Sequence, residues 1–172
     1  MNRNEWLDTL PKNLVWAELG VFLGEYSEEI FSRTSPKKMY LVDIFPEYMI
    51  SGDKDGNNIK EVDLRDIPNI LKNKFPENVV VIKDTTSNFL NSLEDDSLDV
   101  VYIDADHSYE GVKSDLLLSY NKVKKGGLIC GHDYTDRFEG VVRAVNEFCS
   151  NKQLKIEFLS DDGCPTYCIK KF

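Results

Sequence analysis

The unbroken apolar run Val-Val-Val-Ile at residues 79–82 is the strongest indication of fold in this sequence. A strand that is apolar at every position is buried on both faces, as in a parallel sheet covered by helices on each side. Comparable runs at residues 14–19, 39–44, 98–103 and 128–130 are separated by segments with helical periodicity. This alternation predicts a doubly wound α/β sheet.

The remaining elements follow from periodicity and from the positions of proline and glycine. Residues 1–13 form a short N-terminal cover segment of one domain, 1–172. Helices are predicted at residues 25–32, 64–75, 86–93, 110–123 and 139–149, and a closing hairpin at residues 155–159 and 166–169. Residues 46–60 are polar and are predicted to form a loop. Because this loop follows the second strand, it is also a candidate lid, with Tyr48 and Met49 as possible substrate contacts. Residues 53–57 resemble the start of a calcium loop, but the glycine is misplaced and the last acidic ligand is missing.

The charge balance restricts the classes of partner. The chain has 21 basic and 30 acidic residues, a net charge of −9, and no basic block, which argues against a nucleic-acid backbone as partner. It has no signal peptide and no apolar stretch of membrane-spanning length, so we expect a cytoplasmic protein without a membrane partner.

Polar side chains follow two of the predicted strands directly. Asp104 and His107 come after the fourth strand, and His132 and Asp133 come after the fifth. Such groups are costly to hold at strand ends unless they bind something, and open α/β sheets bind their ligands at this edge. A functional site is therefore predicted here.

The first three strands end in residues suited to a nucleoside. Gly20 and Gly24 allow a tight turn and close approach of the backbone to a ligand, although glycine in a turn is also ordinary and the G-x-G-x-x-G pattern of dinucleotide sites is absent. Asp43 ends the second strand, where a carboxylate can accept hydrogen bonds from a ribose or cap a turn. Asp84 and Thr85 follow the third strand and could meet an adenine, or Thr85 could cap the next helix.

Taken together, the segments E-L-G-V-F-L-G-E-Y-S, I-D-A-D-H and G-G-L-I-C-G-H-D-Y resemble a class I S-adenosylmethionine-dependent methyltransferase. The resemblance covers about residues 14–150 and is nearest to the catechol O-methyltransferase-like and macrolide-sugar O-methyltransferase branches. It implies a Rossmann-like seven-stranded sheet in the order 3-2-1-4-5-7-6 with strand seven antiparallel.

The resemblance also implies roles at the cofactor end. Glu18, Gly20 and Gly24 would lie at the methionine moiety of S-adenosylmethionine, and Ser27 would reach its carboxylate. Asp43 would bind the ribose, and Asp84 and Thr85 would flank the adenine. Asp104 would lie beside the sulfonium.

At the reacting end, the resemblance implies that Asp104, His132 and Asp133 hold one divalent ion and that His107 is the base. Asp104 would also act in catalysis by binding the acceptor oxygen. His132 departs from the family pattern, which has a carboxylate there. Because Mg²⁺ prefers oxygen ligands, a histidine suits Mn²⁺, iron or zinc better. His132 could then be a neighbour of the ligands, or the site could work without metal.

The expected function is methyl transfer from S-adenosylmethionine to a hydroxyl of a small molecule, such as a sugar, polyol or phenol. Two alternatives stay open: a nucleotide-dependent oxidoreductase on the same sheet, and a non-catalytic domain that binds S-adenosylmethionine. The short cover segment predicts an open site, or one completed by a second subunit of a homo-oligomer.

Overall fold

A seven-stranded sheet forms the centre of the protein in a computed structural model that describes residues 1–51 and 60–172. Its strands are β1 Val15–Leu19, β2 Lys38–Asp43, β5 Val79–Lys83, β6 Leu98–Ile103, β7 Val123–Gly131, β8 Ile156–Leu159 and β9 Tyr167–Lys170. A separate antiparallel hairpin consists of β3 Tyr48–Ser51 and β4 Lys60–Asp63.

The order of strands across the sheet is β5-β2-β1-β6-β7-β9-β8. The first five of these are parallel to one another, whereas β9 is antiparallel to both β7 and β8. Counted as the seven strands of the main sheet, this is the order 3-2-1-4-5-7-6 with strand seven antiparallel. The predicted α/β, doubly wound, Rossmann-like fold is therefore confirmed.

Helices cover both faces of the sheet and bury a separate apolar core on each. The helices are α1 Arg3–Asp8, α2 Glu25–Thr34, α3 Ile67–Lys74, α4 Thr86–Ser92, α5 Tyr109–Lys122 and α6 Glu139–Lys152, with a 3₁₀ turn at Asp136–Phe138. The core under α1, α2 and α3 includes Trp16 and Tyr102. The core under α4, α5 and α6 includes Val101 and Ile129. Among the described helices, none is long and apolar enough to cross a membrane.

Two segments differ from the sequence-based expectation. Residues 46–60 were predicted to be a loop, but their ends pair as β3 and β4, with Met49 opposite Val62. Of the four residues of β4, only Val62 is even partly buried, so the hairpin lacks the apolar alternation that marks a strand in a sequence. The predicted helix at 64–75 begins later, at Ile67, which leaves Pro68 in the first turn, where its missing N–H costs no intrahelical bond. The calcium-loop resemblance at residues 53–57 lies outside the described residues.

Candidate active site

The carboxyl ends of neighbouring strands stay hydrogen-bonded to one another beyond the sheet itself. The N–H of Gly20 donates to the carbonyl of Val42 (2.8 Å), and the N–H of Asp104 donates to that of Leu19 (2.7 Å). The N–H of His132 donates in the same way to Ile103 (3.1 Å). The side chains that follow β1, β6 and β7 therefore occupy fixed positions along one edge.

The loop after β1 requires glycine at both predicted positions. Gly20 (φ +87°) and Gly24 (φ +80°) have left-handed backbone conformations, which L side chains rarely adopt. A β-carbon on Gly20 would overlap the carbonyl group of Asp104, and one on Gly24 would overlap the side chain of Leu71. The loop thus lies directly against the end of β6, and its contact with S-adenosylmethionine stays a prediction.

Asp43, the predicted ribose ligand, holds this loop in place. Its Oδ2 accepts hydrogen bonds from the backbone N–H groups of Val21 (2.8 Å) and Phe22 (3.0 Å), and its Oδ1 accepts one from Phe45 (2.8 Å). The ribose contact stays a prediction, and the described structure gives Asp43 a role in shaping the loop after β1.

Glu18 and Ser27 form a buried pair beneath the loop. Both are almost fully buried, and the Ser27 hydroxyl donates a hydrogen bond to the Glu18 carboxylate. Burial raises the pKa of Glu18 to about 8, against the opposing effect of the Ser27 hydrogen bond. The predicted contact of Ser27 with a methionine carboxylate would require it to exchange this hydrogen bond.

Asp84 and Thr85 are engaged in local capping. Thr85 is the N-cap of α4, with its Oγ1 accepting a hydrogen bond from the N–H of Asn88 (3.2 Å). Asp84 Oδ1 accepts from the N–H of Thr85 (2.7 Å) and from Nδ2 of Asn88 (2.8 Å). The structure thus shows the capping role for Thr85, and the adenine contact stays a prediction.

Two aspartates and two histidines converge at the ends of β6 and β7. The Nε2 of His107 lies 3.2 Å from Oδ1 of Asp104 and 2.9 Å from Oδ2 of Asp133. The Nδ1 of His132 lies 3.4 Å from Oδ1 of Asp133 and 3.7 Å from Oδ2 of Asp104. Each imidazole therefore faces both carboxylates, and the four predicted residues form one cluster.

The contacts between imidazoles and carboxylates shift the pKa values of His107 and Asp133. Hydrogen bonds to Asp104 and then Asp133 raise the pKa of His107 to about 10, so its imidazole is protonated at neutral pH in this arrangement. Burial tends to raise the pKa of Asp133, but hydrogen bonds from His107 and His132 lower it well below its usual range. Asp133 also has a positive φ of 58°, a strained conformation of the kind found at functional sites.

Donor atoms of Asp104, His107 and Asp133 all lie within 4.8 Å of one another, so these three residues could hold a metal ion. The donor set, two carboxylate oxygens and one imidazole nitrogen, suits Mn²⁺, iron or zinc. The sequence assigned His107 to proton transfer and His132 to the metal. The structure brings His107 into the donor group as well, and leaves His132 beside it.

Several residues that shape the cluster carry no clear sequence signal. The ring of Phe138 packs 4.9 Å from the imidazole of His107, and a β-carbon on Gly140 would overlap the His107 carbonyl. The buried hydroxyl of Tyr167 has no hydrogen-bond partner among the described residues and lies in the lining of a small cavity with Asp104 and His107. These contacts depend on how α6 and β9 pack, which local periodicity does not reveal.

Asp106 supports the loop that carries His107. Its carboxylate accepts hydrogen bonds from the N–H (2.8 Å) and the hydroxyl (2.9 Å) of Ser108. Ser108 is the N-cap of α5 and accepts a hydrogen bond from the N–H of Gly111 (3.1 Å). The conformation between β6 and α5 is thus fixed by its own side chains.

Comparison with known proteins places these features in a family. Residues 17–134 match a family described as a methyltransferase domain. An uncharacterised protein of Acanthamoeba polyphaga mimivirus is 28% identical over 147 residues, 82% of this chain, and the chain spans 62% of that relative's length.

Solved structures share the fold at low identity. The O-methyltransferase NovP superposes with a TM-score of 0.69 at 20% identity, over 98% of this chain and 79% of that one. A Streptococcus mutans protein assigned as a methyltransferase, solved in complex with S-adenosylhomocysteine, superposes with a TM-score of 0.65 at 13% identity, over 98% and 95%. Because the family match covers residues 17–134, more than half of the chain, the chain belongs to the methyltransferase-domain family, and it shares its fold with these solved structures.

Proposed function

We propose that this protein transfers a methyl group from S-adenosylmethionine to a hydroxyl group of a small molecule, such as a sugar or polyol. The observation that carries the proposal is the convergence of Asp104, His107 and Asp133 beside the glycine loop. Family membership supports methyl transfer over the oxidoreductase alternative. A domain that only bound the cofactor would have no need of this cluster of carboxylates and imidazoles.

The chemistry divides between the cofactor and the chain. When bound, S-adenosylmethionine supplies an activated methyl group on a positively charged sulfur. The chain must orient the acceptor and remove its proton, because a neutral hydroxyl is a poor nucleophile. The side chain that we assign to proton removal is His107, with Nε2 as the accepting atom.

His107 can accept a proton only when its two flanking carboxylates are neutralised, since they otherwise hold the imidazole protonated. A divalent ion between Asp104 and Asp133 would provide that neutralisation and would polarise the acceptor oxygen. We propose that Asp104 and Asp133 hold such an ion, Mn²⁺ or Mg²⁺, and that His132 completes or supports the site.

The composition supports a small acceptor. The net charge of −9 and the absence of a basic block in the sequence disfavour a nucleic-acid backbone as the acceptor. Tyr48 and Met49, at the start of the β3–β4 hairpin, expose 43% and 40% of their surface, and we propose that they contact the acceptor. The cytoplasmic location and a site completed by a second subunit remain predictions from the sequence.

The decisive experiment is an acceptor screen with methyl-labelled S-adenosylmethionine. Sugars, polyols, phenols and, for comparison, amines and RNA would each be tested with EDTA, Mg²⁺ and Mn²⁺. We expect label on a hydroxyl compound and loss of transfer in EDTA that is restored by Mn²⁺. Transfer to an amine or RNA alone would contradict the hydroxyl assignment, and full activity in EDTA would contradict the metal assignment.

A further inference from the structure

Helix α1 places a charged side chain over the cofactor end of the sheet. Arg3 begins this helix, is half-buried, and holds its guanidinium 4.3 Å from the centroid of the Tyr26 ring. The backbone N–H of Arg3 donates to Oδ2 of Asp162 (2.9 Å), and Trp6 stacks on Phe158 with ring centroids 5.4 Å apart. Because α1 is attached at these points, the position of the guanidinium is set by the fold.

The charge of Arg3 is not paired with a carboxylate. Arg33 and Arg65 bind the carboxylates of Asp8 (2.7 Å) and Asp63 (2.6 Å), whereas Arg3 forms no ion pair among residues 1–51 and 60–172. Burial disfavours its charge, but Tyr102, Tyr26 and Asp104 more than offset this, so its pKa is raised and it stays charged. A half-buried cation that has no carboxylate within ion-pair distance among the described residues, in a chain of net charge −9, indicates an anionic ligand.

The surroundings of Arg3 indicate which anion. Tyr26, on which the guanidinium stacks, lies in the first turn of α2, whose N-cap residue, Gly24, has no side chain to cap the first N–H groups. Helix N-termini attract anions through their free N–H groups and dipole. The residue Tyr26 is only 9% exposed, and its buried hydroxyl has no hydrogen-bond partner among the described residues.

Acidic residues also interact with Arg3. Electrostatic interactions link Arg3 to Glu18 beneath the glycine loop and to Asp104 at the end of β6. A phosphate or sulfate would be repelled by the Asp104 carboxylate. An amino acid group carries both signs, so its carboxylate can meet Arg3 while its ammonium faces the acidic side.

We propose that Arg3 binds the carboxylate of the methionine moiety of S-adenosylmethionine, so that α1 closes the cofactor site. The inference rests on the proposed function, because it assumes that the glycine loop takes this cofactor. It assigns the N-terminal helix a direct part in cofactor binding, in addition to covering the core.

Calorimetric titration with two ligands tests the proposal without measuring turnover. S-adenosylhomocysteine carries the amino acid carboxylate, whereas 5′-methylthioadenosine retains the nucleoside and thioether but lacks it. In Arg3→Met we expect the affinity for S-adenosylhomocysteine to fall about tenfold, the loss typical of a charge-assisted hydrogen bond, and that for methylthioadenosine to change less than twofold.

Arg33→Met is the matched control, because Arg33 also joins α1 to α2, through Asp8, but at the opposite end of α2. We expect it to bind both ligands like the wild type. If Arg3→Met does not fold, Arg3→Lys should show a smaller but still selective loss, since lysine keeps the charge and loses the planar fork.

Three results would overturn the assignment. If Arg3→Met binds S-adenosylhomocysteine as tightly as the wild type does, Arg3 does not bind its carboxylate. The same holds for Arg3→Lys where only that variant folds. Equal losses for both ligands would show that Arg3 only supports the fold. If the wild type bound neither ligand, the cofactor assignment itself would fail, and the proposed function with it.

Discussion

Gly20 and Asp104 are in backbone contact, so closely that a β-carbon on Gly20 would overlap the Asp104 carbonyl group. Gly20 belongs to the loop that we assign to the cofactor, and Asp104 belongs to the cluster that we assign to the acceptor. The N–H of Asp104 also donates to the carbonyl of Leu19 (2.7 Å), the residue before Gly20. The two halves of the site therefore share one stretch of backbone, and a displacement of either is transmitted to the other.

Replacing Gly20 should damage both halves. Gly20→Ala combines a left-handed conformation, which costs roughly 1–2 kcal/mol for an L residue, with an overlap that only backbone movement can relieve. Gly126→Ala is the matched control, because Gly126 has a similar φ of +80° but nothing within 4 Å of the added carbon. By urea unfolding we expect a loss of about 1–2 kcal/mol for Gly126→Ala and a clearly larger loss for Gly20→Ala. Equal losses would contradict the close contact.

Removing the imidazole of His107 should separate catalysis from cofactor binding. General base catalysis typically contributes about 10²–10⁴-fold, so His107→Gln should lower kcat by at least about 100-fold. Its affinity for S-adenosylhomocysteine should stay within about twofold of wild type. His132→Gln is the companion variant, and if it lost turnover while His107→Gln retained it, the base would be His132.

Asp133→Asn tests the metal site with little disturbance of the backbone. Asn and Asp are the non-glycine residues that best tolerate a positive φ, which is 58° at Asp133. The substitution removes one anionic oxygen donor, so we expect Mn²⁺ affinity, measured by electron paramagnetic resonance, to fall at least about tenfold. Glu94→Gln, a carboxylate outside the cluster, is the control. Mn²⁺ binding that is equal in both variants would exclude Asp133 as a ligand.

Glu18 should make the protein less stable as the pH rises. Burial raises its pKa in the folded protein to about 8, above the ordinary value of 4.5, so the folded state holds the proton more tightly. Its contribution is therefore most favourable below pH 4.5 and is lost as the pH rises through 8. The free energy of unfolding of Glu18→Gln, measured relative to that of the wild type, should increase between pH 5 and pH 9. We expect an increase of more than about 1.4 kcal/mol, the equivalent of one pKa unit. A constant difference would contradict the shift.

The sequence predicts the sheet better than it predicts the side-chain partners. Fully apolar runs such as residues 79–82 indicate buried parallel strands, and the resemblance supplies their order, which the structure confirms. The gathering of Asp104, His107, His132 and Asp133 at one edge also follows, because parallel strands end together.

What the sequence does not predict depends on long-range packing. That His107 lies between both carboxylates is set by the turn into α5 and by the contact with Phe138. The position of Arg3 depends on how α1 attaches to β8 and to Asp162, which lies 159 residues further along the chain. The β3–β4 hairpin was missed because pairing of backbone groups without a buried face leaves no periodic signal.

The two cores on opposite faces of the sheet have an evolutionary consequence. The helix that follows the glycine loop, α2, packs into one core, while α5, which follows His107, packs into the other. Substitutions beneath α5 therefore act on the turn that carries His107, and the contact between Gly20 and Asp104 transmits their effect to the glycine loop. A lineage can therefore change the packing on either face only in ways that keep Gly20 and Asp104 in contact.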